Sequence, residues 1–308
     1  MNISGFLGYF ASFAIVAGTY SIASLGLNLQ FGYTGLYNFG IAAFFATGAY
    51  VEALITGGAS MEHIGGFGLP VIVGVFGAMI ISAILAYLVG IPALRLRGEF
   101  LGISSLGIAE TVRLIITNEK WLAGGVWGLG DIPRPLGNLV APKLYNWIYL
   151  GLVLVVVVII YYLSQKVVSA PWGRVLKAIR EDESVAAAMG KNVYKFKMQS
   201  LILGSMIMAV GGAFYAHYIG YLSPESFRPL MGTFIIWAML MAGGKGNNKG
   251  AILGAFVVWG VWTFTEFLID FFPAALASRS GYINVVLIAI LFQILIRIRP
   301  EGILTEGK

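Results

Sequence analysis

The sequence contains no cysteine and little charge, and both shortages narrow what the protein can be. Without cysteine, a disulfide framework, an iron–sulfur cluster and a thiol nucleophile are excluded. The two histidines, His63 and His217, lie far apart in the sequence, which argues against a histidine-based metal site. Charged residues make up only 11% of the 308 residues, against roughly 25% in soluble proteins. A soluble protein with so little charge would expose one contiguous apolar surface, so lipid must surround most of this one.

The residues that are present support a membrane protein. Hydrophobic residues make up 58% of the chain, 41 residues are glycine, and the mean hydropathy is +0.85. Glycine is well tolerated in membrane helices because it lets two backbones pack closely. The net charge of +6 would suggest nucleic acid as a partner of a soluble protein. Here we assign it to basic cytoplasmic loops and expect no nucleic-acid partner.

Hydropathy divides the chain into nine candidate membrane segments. None of the 51 residues before Glu52 is charged. A continuous helix of these residues would reach about 77 Å, against about 30 Å of hydrocarbon. The helix must therefore break, and the polar, glycine-rich run 28–35 (NLQFGYTG) is the predicted place. The nine segments are 7–28, 36–56, 68–92, 99–118, 144–164, 199–221, 230–243, 251–272 and 281–297.

These segments predict an all-α, polytopic helical membrane protein with about 8–10 membrane segments. Segment 230–243 is short and ends in two glycines, and segment 36–56 contains Asn38, Gly40 and Gly48, so both are predicted to be broken or re-entrant. No stretch is long enough for a soluble domain. We therefore predict one transmembrane domain over 1–308, with a cytoplasmic loop at about 165–198.

Lysine and arginine set the predicted orientation. Placing the loop 165–198 in the cytoplasm puts 14 of the 20 basic residues on that side and 5 on the other, with Arg113 inside a span. The C-terminus is then cytoplasmic, and with nine spans the N-terminus is outside.

Within the loop, residues 171–190 are predicted to form one short amphipathic helix. Pro171 suits a helix start and Gly190 suits a C-cap. Its apolar stripe comprises Val175, Leu176, Ile179, Val185, Ala186 and Met189. Such a helix fits either a groove in a partner protein or the surface of anionic lipid. The pattern alone leaves both open.

Polar residues inside the predicted spans are candidates for a translocation path. Glu110 and Arg113 stand three residues apart on one helix face, and they either line a gate or form an ion pair that fixes helix packing. Glu52 and His217 are predicted to be interfacial. Broken helices build substrate sites in many transporters, their N-termini favouring anionic groups. Four further path candidates lie near the predicted breaks: Tyr33, Thr34, Asn38 and Thr47.

The loop sequence 173–183 (GRVLKAIREDE), followed by 186–190 (AAAMG), resembles the permease subunits of branched-chain amino acid ABC importers, specifically the M-type subunit. Other matching stretches are 94–101 (LRLRGEFL), 106–113 (LGIAETVR), 124–129 (GGVWGL), 132–135 (IPRP), 215–220 (YAHYIG), 223–227 (SPESF) and 243–254. They occur in order, at family-like spacings, from about residue 24 onward. The loop departs from the family's common E-A-A-x-x-x-G pattern, because Ser184 stands six residues before Gly190.

The resemblance implies that the loop helix docks on an ATP-binding subunit and transmits its closure. The residues implied to couple are Arg174, Lys177, Arg180, Glu181, Asp182, Glu183, Ala187 and Gly190. It further implies an H-type second permease, two ATP-binding subunits and an extracytoplasmic binding protein, in a prokaryotic cytoplasmic (inner) membrane. The chain would then be non-catalytic and hold no cofactor or metal, since its partners would bind the ATP.

Three alternatives to a branched-chain amino acid importer remain open. Similar relatives handle urea and short amides. A self-sufficient secondary transporter would use an in-membrane carboxylate, for which Glu110 is the candidate. A membrane enzyme would need a nucleophile with a base, a carboxylate pair or a metal cluster, and the sequence offers little material for any of these.

Overall fold

The structure is a computed structural model, and it describes most of the chain. The described residues are 3–58, 63–96, 98–137, 140–269, 285–286, 289–290, 293–294, 297–298 and 301–306. Most of the predicted ninth segment, 281–297, lies outside them, as do residues 270–272 of the eighth.

The part of the chain that the structure describes is all-α, as predicted. Its helices are α1 (Ile3–Leu27), α2 (Ile41–Thr56), α3 (Val71–Ala93), α4 (Gly98–Asn118), α5 (Lys120–Ala123), α6 (Pro142–Ser169), α7 (Pro171–Glu181), α8 (Glu183–Ala188), α9 (Val193–Ile219), α10 (Ile235–Gly243) and α11 (Asn248–Ile269). π-Helical turns follow α1 at Asn28–Tyr33 and precede α10 at Leu230–Phe234. Short 3₁₀ turns lie at Gly125–Trp127 and Pro224–Phe227.

Five of the described segments are long and apolar enough to cross a membrane. They are Leu7–Tyr33, Val71–Ala93, Gly98–Asn118, Leu144–Ser169 and Val193–Ile219. The helices Ile41–Thr56 and Leu230–Gly243 are apolar but shorter. With 16 residues, α2 reaches only about 24 Å, short of the roughly 30 Å of hydrocarbon. The chain is therefore a multi-pass membrane protein with two short, buried segments.

The helices pack around α1 and α9. α1 contacts α6, α9 and α11, while α9 also lies against α2 and α3. The crossing of α2 and α9 is close because each helix presents a glycine there. A Cβ at Gly48 would overlap the carbonyl oxygen of Ala209, and one at Gly212 would overlap the carbonyl oxygen of Phe45. This is the close backbone approach that glycine permits between membrane helices.

The segments run alternately between two ends of the molecule. One end carries α7 and α8, and we call it the coupling end. There Arg180 packs against Gly35, Asn28 bonds to Gly246, and Glu306 pairs with Lys177. At the opposite end, the Ile64 amide donates to the Trp121 carbonyl at 2.7 Å, and a two-residue β-bridge joins Leu129 to Leu222.

In the described part of the chain, each predicted segment contains a helix, but two of the segments differ in form from a simple span. The break predicted at 28–35 is present, and it extends through irregular backbone to Gly40 before α2 begins. Segment 230–243 consists of a π turn followed by α10, as its predicted interruption requires. Helix α6 is the clearest match to its prediction and continues to Ser169.

Candidate functional site

The break after α1 places polar side chains deep inside the protein. Asn28 and Gln30 are fully buried in its π turn. The Gln30 amide donates to the Leu201 carbonyl at 2.8 Å and to the Ser205 hydroxyl at 3.2 Å, both on α9. Buried polar groups are stable only when they are bonded in this way. The turn is therefore fixed to α9 by side-chain hydrogen bonds.

Two of the candidate path residues belong to the same network. Asn38 donates to Gln30 Oε1 at 2.7 Å and accepts the Gly40 amide at 2.7 Å. The Thr34 and Ser200 hydroxyls are 2.6 Å apart, and Thr34 also donates to the Leu29 carbonyl. The irregular stretch between α1 and α2 thus satisfies its polar groups within the protein, which is the condition for non-helical backbone at membrane depth.

The network reaches a second break in the chain, between α10 and α11. The Asn28 carboxamide donates to Asn248 Oδ1 at 2.9 Å and accepts the Gly246 amide at 2.8 Å. Asn248 in turn donates to Gln165 on α6 at 3.1 Å. One buried asparagine therefore ties the two irregular segments together. Asn28 and Gln30 lie within the run that predicts the break, but no repeating pattern marked them as its central polar groups.

Of the other two candidates, Tyr33 ends the π turn and its hydroxyl interacts with Asn28 and Asn248, whereas Thr47 lies away from the network. Tyr33 packs with Leu29, Val168 and Leu176 beneath α7, and the Lys177 ammonium stands 5.6 Å from its ring centre. Thr47 is buried within α2. The cavity beside Asn38 has a volume of only about 10 Å³, which is room for one water at most. The residues around Asn38 therefore enclose no substrate-sized chamber within this chain.

Glu110 and Arg113 lie in the half of α4 nearer the opposite end. The Arg113 guanidinium donates to both carboxylate oxygens of Glu110, the shortest bond being 2.5 Å. It also contacts Glu225 at 3.2 Å, and Glu225 pairs with Arg228. The ion pair that their spacing allows is present, and it continues into a surface cluster away from Asn38. The role of the pair in a path stays a prediction.

A second side-chain pair, between a glutamate and a histidine, is completely buried. Glu52 on α2 and His217 on α9 are both 0% exposed, and His217 Nε2 lies 2.7 Å from Glu52 Oε1. The Pro133 carbonyl, 2.7 Å from His217 Nδ1, can only accept, so Nδ1 carries a proton. Both residues lie near the ends of their helices, as predicted, but they are enclosed by protein there, and their interfacial position stays a prediction. Residues 129–133 pack over both side chains. A hydropathy pattern cannot predict this contact, because residues 129–133 are distant from both in sequence.

The loop 165–198, which is predicted to be cytoplasmic, forms two helices rather than the single one predicted. Asp182 is extended and separates α7 from α8, and its carboxylate accepts the Ser184 and Val185 amides. This is an N-cap, and an Asp followed by a Ser and a small apolar run is a sequence signal for it. The Ser184 hydroxyl and these two amides lower the pKa of Asp182 below its usual range. The second helix ends before Gly190, whose φ of 76° suits glycine.

The predicted apolar stripe divides into a buried and an exposed part. Leu176, Ile179 and Ala186 are buried against the rest of the protein. Val185 and Met189 are 57% and 76% exposed. They line a surface groove of about 450 Å³ together with Pro171, Arg174, Val175, Ala178, Glu181, Asp182, Ala186 and Lys191. Large apolar side chains standing out among charges mark a surface that binds something.

The charged residues of the loop also divide. Arg174, Glu181 and Asp182 are exposed, as are Ala187 and Gly190. Glu181 also pairs with Arg180 at 2.9 Å, so four of the charged residues implied to couple make ion pairs within the described part of the chain. Lys177 and Arg180 both bind Glu306, at 2.7 and 2.9 Å, and Glu183 binds Lys197 at 2.5 Å. Burial raises the pKa of Glu306, but hydrogen bonds from Lys177 and Arg180 outweigh it, so its pKa is lowered overall. Glu306 did not figure in the sequence prediction.

The comparisons with known proteins agree with this architecture. The family model described as "branched-chain amino acid transport system / permease component" matches residues 9–295. The chain belongs to this permease family. The match spans both breaks and the whole of α7 and α8, whereas Glu306 lies beyond it.

Individual relatives of the permease family cover nearly the whole chain. The probable branched-chain amino acid transport permease protein LivM of Methanocaldococcus jannaschii is 28% identical over 94% of this chain and 91% of its own. LivM of Escherichia coli is 29% identical, over 92% of this chain and 67% of its own. LivH of Salmonella typhimurium is 24% identical, over 93% and 91%. The M-type resemblance is thereby confirmed. No solved structure is significantly similar to the chain.

Proposed function

We propose that this permease is one transmembrane half of an ATP-driven importer for branched-chain or related small amino acids. The observation that carries the proposal is the exposed apolar surface formed by Val185 and Met189, in a chain whose family is that of branched-chain amino acid permeases. An ATP-binding subunit would dock on this surface and hydrolyse the ATP. The permease itself would supply no chemistry and hold no cofactor.

The proposed assembly contains an H-type second permease, two ATP-binding subunits and an extracytoplasmic substrate-binding protein. The translocation path would form between the two permeases, so this chain alone would not transport. The small volume beside Asn38 supports this placement. The coupling end would face the cytoplasm of a prokaryotic cell, across its cytoplasmic membrane. Residues 301–306 contact α7, which supports a cytoplasmic position for them as well.

Co-purification with candidate partner subunits tests the proposal. The tagged permease should bring an ATP-binding subunit with it, and Met189→Glu should abolish this because a charge would enter an apolar contact. The matched control is Val126→Glu at the opposite end, where Val126 is 65% exposed, and this variant should retain the ATPase. Retention by Met189→Glu together with loss in Val126→Glu would contradict the docking surface.

Uptake assays of the assembled complex then identify the substrate class. Leucine, isoleucine and valine should compete with one another, whereas urea and short amides should not. Competition by urea alone would place the permease with the urea and amide importers instead.

The alternative function is a self-sufficient secondary transporter, and one observation favours it. Glu52 is a buried carboxylate whose Oε2 has no hydrogen-bond partner among the described residues, and coupled carriers use such groups. The transporter would move solute in proteoliposomes without ATP or partners. If the chain alone does so and brings no ATPase with it, the importer proposal fails, and Glu52 replaces Glu110 as the first coupling residue to test.

A further inference from the structure

The C-terminal described segment, 301–306, is bonded to the break between α10 and α11. The Ile303 and Leu304 amides donate to the Ala242 and Gly243 carbonyls, both at 2.9 Å. The Asn247 carboxamide donates to the Thr305 carbonyl at 2.9 Å. A Cβ on Gly302 would overlap Gly244, so the two backbones approach as closely as glycine allows. Segment 301–306 is therefore held to this break, and the two should move as one unit.

Glu306 then joins that unit to α7. One carboxylate oxygen binds Lys177 at 2.7 Å and the other binds Arg180 at 2.9 Å. The two cations stand three residues apart, on one face of α7. The Glu306 side chain is 28% exposed, so solvent screens these pairs less than it screens freely exposed ones.

Arg180 continues the connection to the break after α1. Its Nη1 donates to the Gly32 carbonyl at 2.5 Å, within the π turn. A Cβ on Gly35 would lie against the Arg180 side chain, so the two are in close contact. The Arg180 guanidinium therefore bonds both to the Gly32 carbonyl, in the break after α1, and to Glu306, whose segment is bonded to the break between α10 and α11.

We propose that Glu306 is a positioning residue that links α7 to both breaks in the membrane domain, so that movement of α7 is delivered to them. The inference rests on the proposed function, in which an ATP-binding subunit moves α7 and α8. Without Glu306, Arg180 would keep its pair with Glu181 but lose the carboxylate bound to Nη1, the nitrogen that also donates to Gly32, and Lys177 would lose its ion pair. Displacement of α7 would then be taken up at the extended residue Ala170, between α6 and α7.

The test measures substrate uptake and ATP hydrolysis by the complete complex in proteoliposomes. Glu306→Gln should leave ATP hydrolysis within about twofold of wild type while uptake per ATP falls by about fivefold or more, the range of ordinary coupling between sites. The matched control is Glu301→Gln, which makes the same charge change in the same segment. Glu301 is exposed and makes no ion pair within the described residues, so this variant should stay coupled.

A double-mutant cycle separates positioning from general damage. If Glu306 acts through Arg180, Glu306→Gln should add little to the loss of coupling in Arg180→Gln. Additive losses, or normal uptake per ATP in Glu306→Gln, would overturn the inference. If Glu306→Gln does not assemble, Arg180→Gln alone decides, because it removes the group that joins Glu306 to the Gly32 carbonyl: reduced uptake per ATP supports the inference and unchanged uptake refutes it. Absence of an ATPase from the wild-type complex would instead mean that the proposed function itself had failed.

Discussion

The buried hydrogen bond between Glu52 and His217 allows a strong prediction about stability. His217→Ala would leave Glu52 Oε1 without its bonded partner, while Oε2 already has none among the described residues. The Pro133 carbonyl would lose its donor as well. Each buried polar group left without its partner costs about 1–3 kcal/mol, and this variant leaves two, for a sum of about 2–6 kcal/mol. We therefore expect the free energy of unfolding to fall by about that amount.

The hydrogen-bonding groups of Glu52 and His217 predict how strongly each substitution should lower the free energy of unfolding. Glu52→Gln keeps a carboxamide opposite His217 Nε2, and its NH₂ can donate there while Nδ1–H remains on Pro133. Its cost should stay near the roughly 0.5–1.5 kcal/mol of one ordinary hydrogen bond. The double variant Glu52→Ala with His217→Ala should be less destabilised than the sum of the two single variants, by about 1–3 kcal/mol.

Denaturant unfolding of the detergent-solubilised permease, followed by tryptophan fluorescence, measures these differences. Glu110→Gln serves as the reference, because that carboxylate is partly exposed and its pair is worth about 1 kcal/mol or less. The reasoning is refuted if His217→Ala unfolds within about 1 kcal/mol of wild type, or if the cycle gives a coupling below about 0.5 kcal/mol.

Three further predictions concern helix packing, capping and the buried network. Gly48→Ala should destabilise the permease by about 1–3 kcal/mol in the same assay, because its Cβ would overlap α9, whereas Gly107→Ala, which meets nothing within 4 Å, should stay within about 1 kcal/mol. The lowered pKa of Asp182 means that its cap stabilises α8 above the ordinary aspartate value and loses this effect as the pH falls through the lowered one. The protection of the α8 amides, meaning their exchange rate relative to the intrinsic rate at the same pH, should therefore fall in acid, and Asp182→Asn should remove that pH dependence. Gln30→Leu should cost about 1–3 kcal/mol, since it leaves buried partners on α9 unbonded; an unchanged unfolding midpoint would contradict this.

The fold was largely predictable because lipid imposes a simple rule on sequence. Each long apolar run in the described part of the chain forms a helix, and the polar run 28–35 forms the break, since hydrophobicity and glycine content are local properties. The resemblance likewise identified the permease family from short local motifs. The division of the loop into α7 and α8 was missed, although Asp182 followed by Ser184 was a usable cap signal.

The contacts that complete the candidate site were not predictable in the same way. Glu306 meets Arg180 across more than a hundred residues of sequence, and His217 is buried only because residues 129–133 pass over it. Hydropathy and spacing describe a residue's neighbours in the chain, whereas these pairings depend on how whole helices pack. By contrast, the ion pair between Glu110 and Arg113 was predicted, because the two residues are only three apart and their contact is local.

The central position of α1 has a consequence for the order in which the protein is made. This helix leaves the ribosome well before its chief neighbours α9 and α11, which follow about 190 or more residues later, roughly 10–40 s at ordinary rates of synthesis. During that interval Asn28 and Gln30 have no bonding partners on α9 or α11, so the polar end of α1 must wait at the membrane surface or be sheltered by an insertion factor. Cells that lack such a factor should degrade the newly made chain before its later helices arrive.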